Sequence, residues 1–403
     1  MATPAPTDSR PLVAFVANAL SPYRHHLHRR IVREMPQIRL ATILTHEVSN
    51  APWALREDEQ IGLVRFGPGE DTANQSRPRY ALREWRKGGR IIRWLREHRA
   101  SAVVMLGYND LGRLRIIRWC RRMGIPCFLW GDSNIKGDAA TGVRALAKRA
   151  IVGWALRRCE GAFACGRLGK AYWEKYGAPT GRIFISPYEP DYSLVQQLPQ
   201  ETIDATAQGF GIDPARRRIV YSGRLVPVKR VDLLMRSYAQ IASERPEWDL
   251  LIVGSGELRK DLEALVPHSL RCRVQWTGFL DDQSTVSALY RLSDALVLPS
   301  ENEPWALVIN EAAAAGLAIV ASDVVGAAAE LVRDGINGRI FPSGDQTALT
   351  EALRDVTDPA RIDAMKAASA DVLADWRQHG DPVAGIRQAL ESVGVLGSPT
   401  DQK

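Results

Sequence analysis

The chain has 403 residues, of which 45% are hydrophobic and 25% charged, as in a folded globular protein long enough for two domains. Its formal charge of +7 comes with no nucleic-acid reader module or base-stacking platform, so nucleic acid is excluded as the expected partner. No stretch approaches the ~20 apolar residues that span a bilayer, and the polar start M-A-T-P-A-P-T-D-S-R lacks the apolar centre of a signal peptide, so a cytoplasmic protein is expected.

Pro11–Ala17 reads as a buried strand running into a loop, Asn18–Arg24, whose Tyr23 and Arg24 are polar enough to face a ligand. A helix follows from His25 to Glu34 and takes in His25 and His28. Leu40–Leu44 and Gly62–Phe66 are short strands, and Arg83–Glu97 is an amphipathic helix with Ile91, Ile92 and Leu95 on its inner face. Next come the strand Ala102–Leu106, the helix Leu111–Met123, and the strands Pro126–Trp130, Gly161–Ala164 and Arg182–Ser186. This alternation implies a parallel, doubly wound α/β sheet. After Pro126–Trp130 stands Asp132, placed either as a general base or as a helix cap.

The positive charge gathers in this first half. Arg77–Arg99 carries nine cations, Lys87 among them, against Glu84 and Glu97, and further arginines lie between Arg113 and Arg122 and between Arg144 and Arg158. Solvated helix faces account for most of them. Adhesion to an anionic membrane surface is the functional alternative. The five cysteines (Cys120, Cys127, Cys159, Cys165, Cys272) form no C-x-x-C pair and read as small buried hydrophobes in a reducing compartment.

Tyr188–Arg218 reads as an interdomain hinge, and a second series of strands follows. Val220–Val231 is a strand, then a loop with Gly223, Arg224 and Lys229. Asp249–Glu257 is a buried strand ending in Gly254-Ser255-Gly256, and Val274–Leu280 ends in Gly278-Phe279-Leu280. Ala295–Pro299 is another strand, and Pro304 suits the first position of a helix closed by Gly316. That places Glu303 at the helix mouth and Glu311 eight residues inside, roughly 12 Å further along the axis. From spacing alone, a surface helix with two solvated glutamates fits equally well.

Taken together, G-R-L-x-x-x-K, G-x-G, E-x7-E and D-G-x-N-G resemble the donor-binding half of glycosyltransferase family 4, the retaining group 1 enzymes, closely over roughly residues 215–350. The resemblance implies the GT-B fold: two Rossmann-like doubly wound domains facing a cleft, with a C-terminal helix near Pro382–Val393 crossing back. The implied division is 1–195 for the acceptor domain, 196–215 for a linker, 216–375 for the donor domain and 376–403 for the crossover helix and an irregular tail. The ends Met1–Ser9 and Ser398–Lys403 are expected to be disordered.

The resemblance implies transfer of a sugar, with retention at the anomeric carbon, from a UDP- or GDP-linked donor to a glycan or lipid-linked acceptor. No metal or other cofactor is implied. Arg224 and Lys229 would stabilise the leaving diphosphate, Glu303 would hold the sugar and Glu311 the ribose. Amides of Trp305, Ala306 and Leu307 would serve at a helix N-terminus, and Gly278, Phe279 and Leu280 would meet the base. Gly223, Gly254 and Gly256 would frame the pocket, with Tyr23, Arg24 and Asp132 on the acceptor side. The chain departs from the family where Arg230 replaces the usual glycine after the lysine, and where E-P-W-A-L puts Ala306 in place of another. A nucleotide-sugar epimerase, or a basic membrane-surface protein with an inactive GT-B fold, would retain the same fold.

Overall fold

The computed structural model describes residues 8–48 and 58–397. Of the ends expected to be disordered, Met1–Thr7 and Ser398–Lys403 lie outside the described residues. The chain divides into two compact units, one of residues 1–165, 169–188 and 380–403, the other of residues 166–168 and 189–379.

The first unit holds seven strands, β1 (Leu12–Ala17), β2 (Arg39–Leu44), β3 (Leu63–Arg65), β4 (Ala100–Leu106), β5 (Cys127–Trp130), β6 (Gly161–Ala164) and β7 (Ile183–Ile185). They form one parallel sheet in the order β3-β2-β1-β4-β5-β6-β7. Apolar runs such as L-V-A-F-V-A in β1 are buried along their whole length, as a sheet covered on both faces demands. The winding direction reverses between β1 and β4.

The first helix runs Pro22–Glu34, so Tyr23 and Arg24 lie in its opening turn rather than in a loop. Ser21 is extended and Pro22 supplies a helical φ without needing its absent N–H, which moves the start forward. Two helices were not expected, Gly142–Leu156 and Arg167–Lys175. The first has apolar residues on every side and so shows no clean 3.6-residue stripe.

Lys87 does not belong to the solvated basic stripe. Glycines at 88 and 112 bring the helices Ala81–Glu97 and Leu111–Met123 close together, since a Cβ on Gly88 would stand 2.7 Å from the Gly112 carbonyl oxygen. Lys87 is then buried, and its Nζ lies 2.5 Å from Glu70 and 3.0 Å from Glu84. Burial works against an ionised Glu84, but hydrogen bonds from His46 and Lys87 outweigh it and hold its carboxyl below the usual range. Arg113 is likewise internal and pairs with Asp110. Cysteines 120, 127, 159 and 165 are buried free thiols, whereas Cys272 is exposed, contrary to expectation.

The second unit holds β8 (Arg217–Ser222), β9 (Trp248–Val253), β10 (Val274–Gly278), β11 (Ala295–Leu298), β12 (Ala318–Ser322) and β13 (Gly338–Phe341). All pair in parallel, in the order β10-β9-β8-β11-β12-β13. The reversal falls between β8 and β11. Residues 196–215, expected as a linker, contain the helix Gln200–Phe210, closed by left-handed Gly211. The last helix, Pro382–Glu391, belongs to the first unit and packs on β7. A Cβ on Gly385 would stand 1.9 Å from the Ile185 carbonyl oxygen, and Ser186 Oγ donates to the Pro382 carbonyl at 3.0 Å.

Replacing Lys87 by alanine should cost about 3–5 kcal/mol in denaturant unfolding, because buried Glu84 and half-buried Glu70 lose their cation. Replacing its exposed neighbour Arg86 should change stability by less than about 0.5 kcal/mol. Equal effects would return Lys87 to the solvated face.

Candidate functional site

In an open parallel sheet, ligands bind beyond the carboxyl ends of the strands where the order reverses. In the second unit that point lies between β8 and β11, and the loops leaving these two strands carry Lys229 and Glu303. The two side chains are ion-paired, each largely shielded from water. Ser300 Oγ also donates to the Glu303 carboxylate at 3.3 Å. A second pair joins the same loops, Arg230 with Glu301, and Arg230 reaches Asp232 at 3.1 Å. Glu301 is thus committed to Arg230, which leaves Glu303 as the carboxylate beside the lysine. Arg224, on the same loop as Lys229, is exposed, and among the described residues its guanidinium has no hydrogen-bond partner.

The glycines are required by backbone contact between loops. A Cβ on Gly254 would stand 2.0 Å from the Gly223 carbonyl oxygen, and one on Gly256 would stand 2.3 Å from that of Leu225. The loops after β8 and β9 are tied by Gly223 N–H to Val253 O and Leu225 N–H to Ser255 O, both 2.9 Å. Gly278 is left-handed at the end of β10 and its carbonyl accepts from Gly254 N–H at 2.9 Å. Phe279 beyond it is exposed and Leu280 half-buried.

The glutamate helix does not begin at Pro304. It spans Leu307–Ala315, with left-handed Ala306 (φ 81°) as its cap. Glu303 forms an isolated parallel bridge with Val325, and the backbone that follows is tied down: Gly326 N–H donates to Glu303 O at 3.1 Å and Ala327 N–H to Trp305 O at 2.8 Å. A side chain at 326 would strike the Pro304 carbonyl. The helical separation of Glu303 and Glu311 is therefore only the stretch Leu307–Glu311, about 6 Å of rise rather than 12. The orphan amides of the first turn are those of Leu307 and Val308, while Trp305 is buried one residue before the cap.

Both departures from the family's glycines fall on left-handed backbone, Arg230 at φ 50° and Ala306 at φ 81°. The missing glycines were the signal in the sequence that a turn, not a helix, precedes Leu307.

Glu311 sits on the second turn of that helix, half-buried, and accepts from Tyr290 Oη at 3.1 Å and Gln283 Nε2 at 3.4 Å. Burial pushes its carboxyl up to about 7, against the hydrogen bonds from Tyr290 and Gln283, which favour the ionised form. Sequence reasoning did not single out Tyr290 or Gln283. Their spacing of seven residues on the helix Gln283–Arg291, which sets both on one face, was the available clue.

In the first unit, Arg24 lies between the rings of Tyr23 and Tyr188, 5.7 and 5.6 Å from their centroids. It donates to Asn18 Oδ1 at 3.1 Å and to the Ala19 carbonyl at 2.9 Å. Asp132 is exposed on the loop after β5 and caps no helix. A turn follows it, built by Asn134 Oδ1 accepting from Gly137 N–H at 2.7 Å, and the next helix starts at Gly142. Among the described residues, ligand atoms of His46, Glu70 and Glu84 lie within 4.8 Å of one another, as metal ligands would. The Lys87 ammonium already fills that position, so the group works as an ion-pair network.

Two parallel sheets of this order, each wound on both faces, define the GT-B class of fold. Solved structures share it: HepE from Anabaena, in complex with UDP, superposes with a TM-score of 0.72 at 17% identity, over 96% of this chain and 100% of that one. A glycosyltransferase from Rickettsia africae gives 0.74 at 14% identity, over 97% and 100%. Residues 203–369 match the family model described as Glycosyl transferases group 1. D-inositol 3-phosphate glycosyltransferase of Rhodococcus erythropolis is 32% identical over 204 residues, 48% of this chain and 45% of that protein. Alpha-D-kanosaminyltransferase of Streptomyces kanamyceticus is 29% identical over 186 residues, 45% of this chain and 47% of that protein. The chain thus spans about half the length of these curated relatives.

Two outcomes test the local geometry. Ala306→Gly should stabilise the protein by about 1 kcal/mol in denaturant unfolding, because an L side chain at positive φ is strained. Glu311 holds its proton more tightly folded than unfolded, so its cost to stability is absent below about pH 4.5, grows as pH rises and is complete above about pH 7. Glu311→Gln should therefore match wild type in acid and exceed it above neutrality; parallel stability–pH curves would contradict the buried carboxyl.

Proposed function

We propose that the protein is a metal-independent hexosyltransferase. It moves a sugar from a UDP- or GDP-linked donor to a glycan acceptor carried on a lipid, with retention, in the synthesis of surface polysaccharide or glycoconjugate. The observation that carries this reading is the Lys229–Glu303 pair at the strand-order reversal of a group 1 glycosyltransferase domain. A nucleotide sugar offers each member of the pair a better partner. The diphosphate takes Lys229, with exposed Arg224 adding a planar fork matched to phosphate. The freed Glu303 accepts hydrogen bonds from sugar hydroxyls. Glu311, steered by Tyr290 and Gln283, accepts the two ribose hydroxyls. The orphan amides of Leu307 and Val308 add donors at a helix N-terminus.

The chemical step breaks the bond between the anomeric carbon and the phosphate oxygen, and the electron pair leaves with the diphosphate. The acceptor hydroxyl oxygen bonds to the anomeric carbon on the same face, and its proton passes to the departing phosphate oxygen. Lys229 and Arg224 stabilise the charge that grows on the diphosphate. Tyr23, Arg24 and Asp132 are assigned to the acceptor. Because HepE was solved with UDP, the uridine nucleotide is the first donor to test. The reading has the lipid-linked acceptor met at the cytoplasmic face of the bilayer; among the described residues no helix is long and apolar enough to cross a membrane.

A thermal-shift panel of UDP, GDP and ADP tests the donor, since a ligand of the native state raises its apparent stability. Lys229→Ala and Arg224→Ala should each lower turnover about 100-fold while the fold survives. In calorimetry, Glu311→Ala should weaken binding of the bare diphosphate, whereas Glu303→Ala should spare it and damage transfer. Near-normal turnover in both cation variants would remove this loop from the diphosphate. Nucleotide released without an acceptor would favour a hydrolase, and an epimerised nucleotide sugar formed with no nucleotide released would favour an epimerase.

A further inference from the structure

Three helices of the first unit begin with apolar side chains in water. Leu82 and Trp85 are exposed in the opening turns of Ala81–Glu97, Leu111 is the first residue of Leu111–Met123, and Val143 and Leu146 open Gly142–Leu156. Val143 is 82% exposed and Leu146 69%, more than any other large apolar residue described. These helices make the crossovers β3 to β4, β4 to β5 and β5 to β6, which all step the same way across the sheet. Right-handed crossovers therefore put them on one face. Each runs antiparallel to the strands, so all three begin at the carboxyl edge of the sheet. The topology gathers their first turns into one rim.

The helix Gly142–Leu156 mixes apolar side chains with arginines on its solvent side over its first half. Lys148 points inward, where its Nζ lies 2.7 Å from Asp138, a carboxylate that also takes Lys175 at 2.6 Å and Tyr176 Oη at 2.8 Å. The same ammonium lies over the rings of Tyr172 and Tyr176, 4.9 and 5.6 Å from their centroids. Val143, Leu146 and Ile151 point outward. Rolling the helix to bury them would break the Lys148–Asp138 pair, so the fold fixes the apolar side in contact with solvent.

The charges of the rim are mostly positive, with exposed Asp132 on the loop after β5 as the opposing group at that edge. Residues 77–96, 107–122 and 139–158 contain two acids, Glu84 and Asp110, and both are buried against cations. Arg79, Arg86, Arg144 and Arg149 are exposed. An apolar stripe flanked by an excess of arginines complements an anionic bilayer, whose headgroups meet the cations while the aliphatic side chains enter the acyl boundary.

We infer that the first turns of these three helices form a docking rim for an anionic lipid surface, with Val143 and Leu146 as its inserting residues. The inference rests on the proposed lipid-linked acceptor for its purpose, but not for its evidence. It shifts the contact from the Arg77–Arg99 stripe, whose Lys87 is internal, to the helix starts.

The full chain should co-sediment with vesicles of equal parts phosphatidylglycerol and phosphatidylcholine at low salt, stay in the supernatant with phosphatidylcholine alone, and be released as salt rises. Val143→Asp combined with Leu146→Asp should lower partitioning at least tenfold, with an unchanged thermal midpoint and an unchanged shift on adding UDP. Wild-type protein that stays in the supernatant with the anionic vesicles overturns the inference, as does a double variant that sediments like wild type. So does a concentration-dependent dimer in light scattering that the double variant abolishes without any vesicle binding. Vesicle binding with no response to any nucleoside diphosphate would leave the rim standing and remove the transferase reading; a nucleotide response without vesicle binding would do the opposite.

Discussion

Two opposite charges, Lys229 and Glu303, are pressed together where the second sheet changes its winding direction, and most of the local architecture serves to hold them there. Neither side chain is on a strand. Each hangs from a loop, and loops hold a geometry only when their own backbones are constrained. The loop after β8 is fixed by the glycine contacts that let it touch the loop after β9. The loop after β11 is fixed by Glu301 N–H donating to the Val228 carbonyl at 2.8 Å and by the Glu303–Val325 bridge with the hydrogen bonds from Gly326 and Ala327 beside it. With both backbones set, the ion pair is compact and poorly hydrated. A ligand that separates it must offer an anion and hydroxyl donors together.

The same constraint explains why the chain tolerates strain nearby. Arg230 and Ala306 occupy left-handed conformations that cost an L residue roughly 1–2 kcal/mol each. Arg230 gains ion pairs with Glu301 and Asp232, which offset part of its cost. Ala306 makes no such polar gain. It turns the chain from the Glu303–Trp305 segment into the helix within a single residue, and its methyl sits at the cap where the helix amides face outward. A side chain at that position narrows the space open to whatever those amides bind.

The sheet strands were legible because a doubly covered parallel strand must be apolar along its length. All seven strands of the first sheet lie within two residues of their expected bounds. The site residues were legible as chemical types, but their arrangement was not. Periodicity cannot show that Glu303 bridges to Val325 or that Trp305 O accepts from Ala327 N–H, because that pairing is tertiary. Nor can it tell an arginine-rich helix in water from one that turns Lys87 inward, because the deciding feature is a Gly88–Gly112 contact between helices. Glu311 was found from the E-x7-E motif of the resemblance, while Tyr290 and Gln283, which hydrogen-bond its carboxylate, lie on the helix Gln283–Arg291, which carried no motif.

The last helix has a consequence for how the chain is made. Residues 189–379 of the second unit are continuous, whereas the first unit takes in residues from 380 onward. That late segment supplies Asp381 to Arg30 at 2.6 Å, and the Arg387 guanidinium donates to the Glu34 carbonyl at 2.7 Å. During synthesis the first unit emerges earlier but waits for its final helix, with β7 and the helix Pro22–Glu34 uncovered until then. The second unit has nearly all of its parts as soon as residue 379 has emerged. Completion of the amino-terminal half is thereby deferred past that of the half that follows it, and a ribosome that stalls near residue 380 would leave an almost whole second unit tethered to a first unit that lacks its final helix.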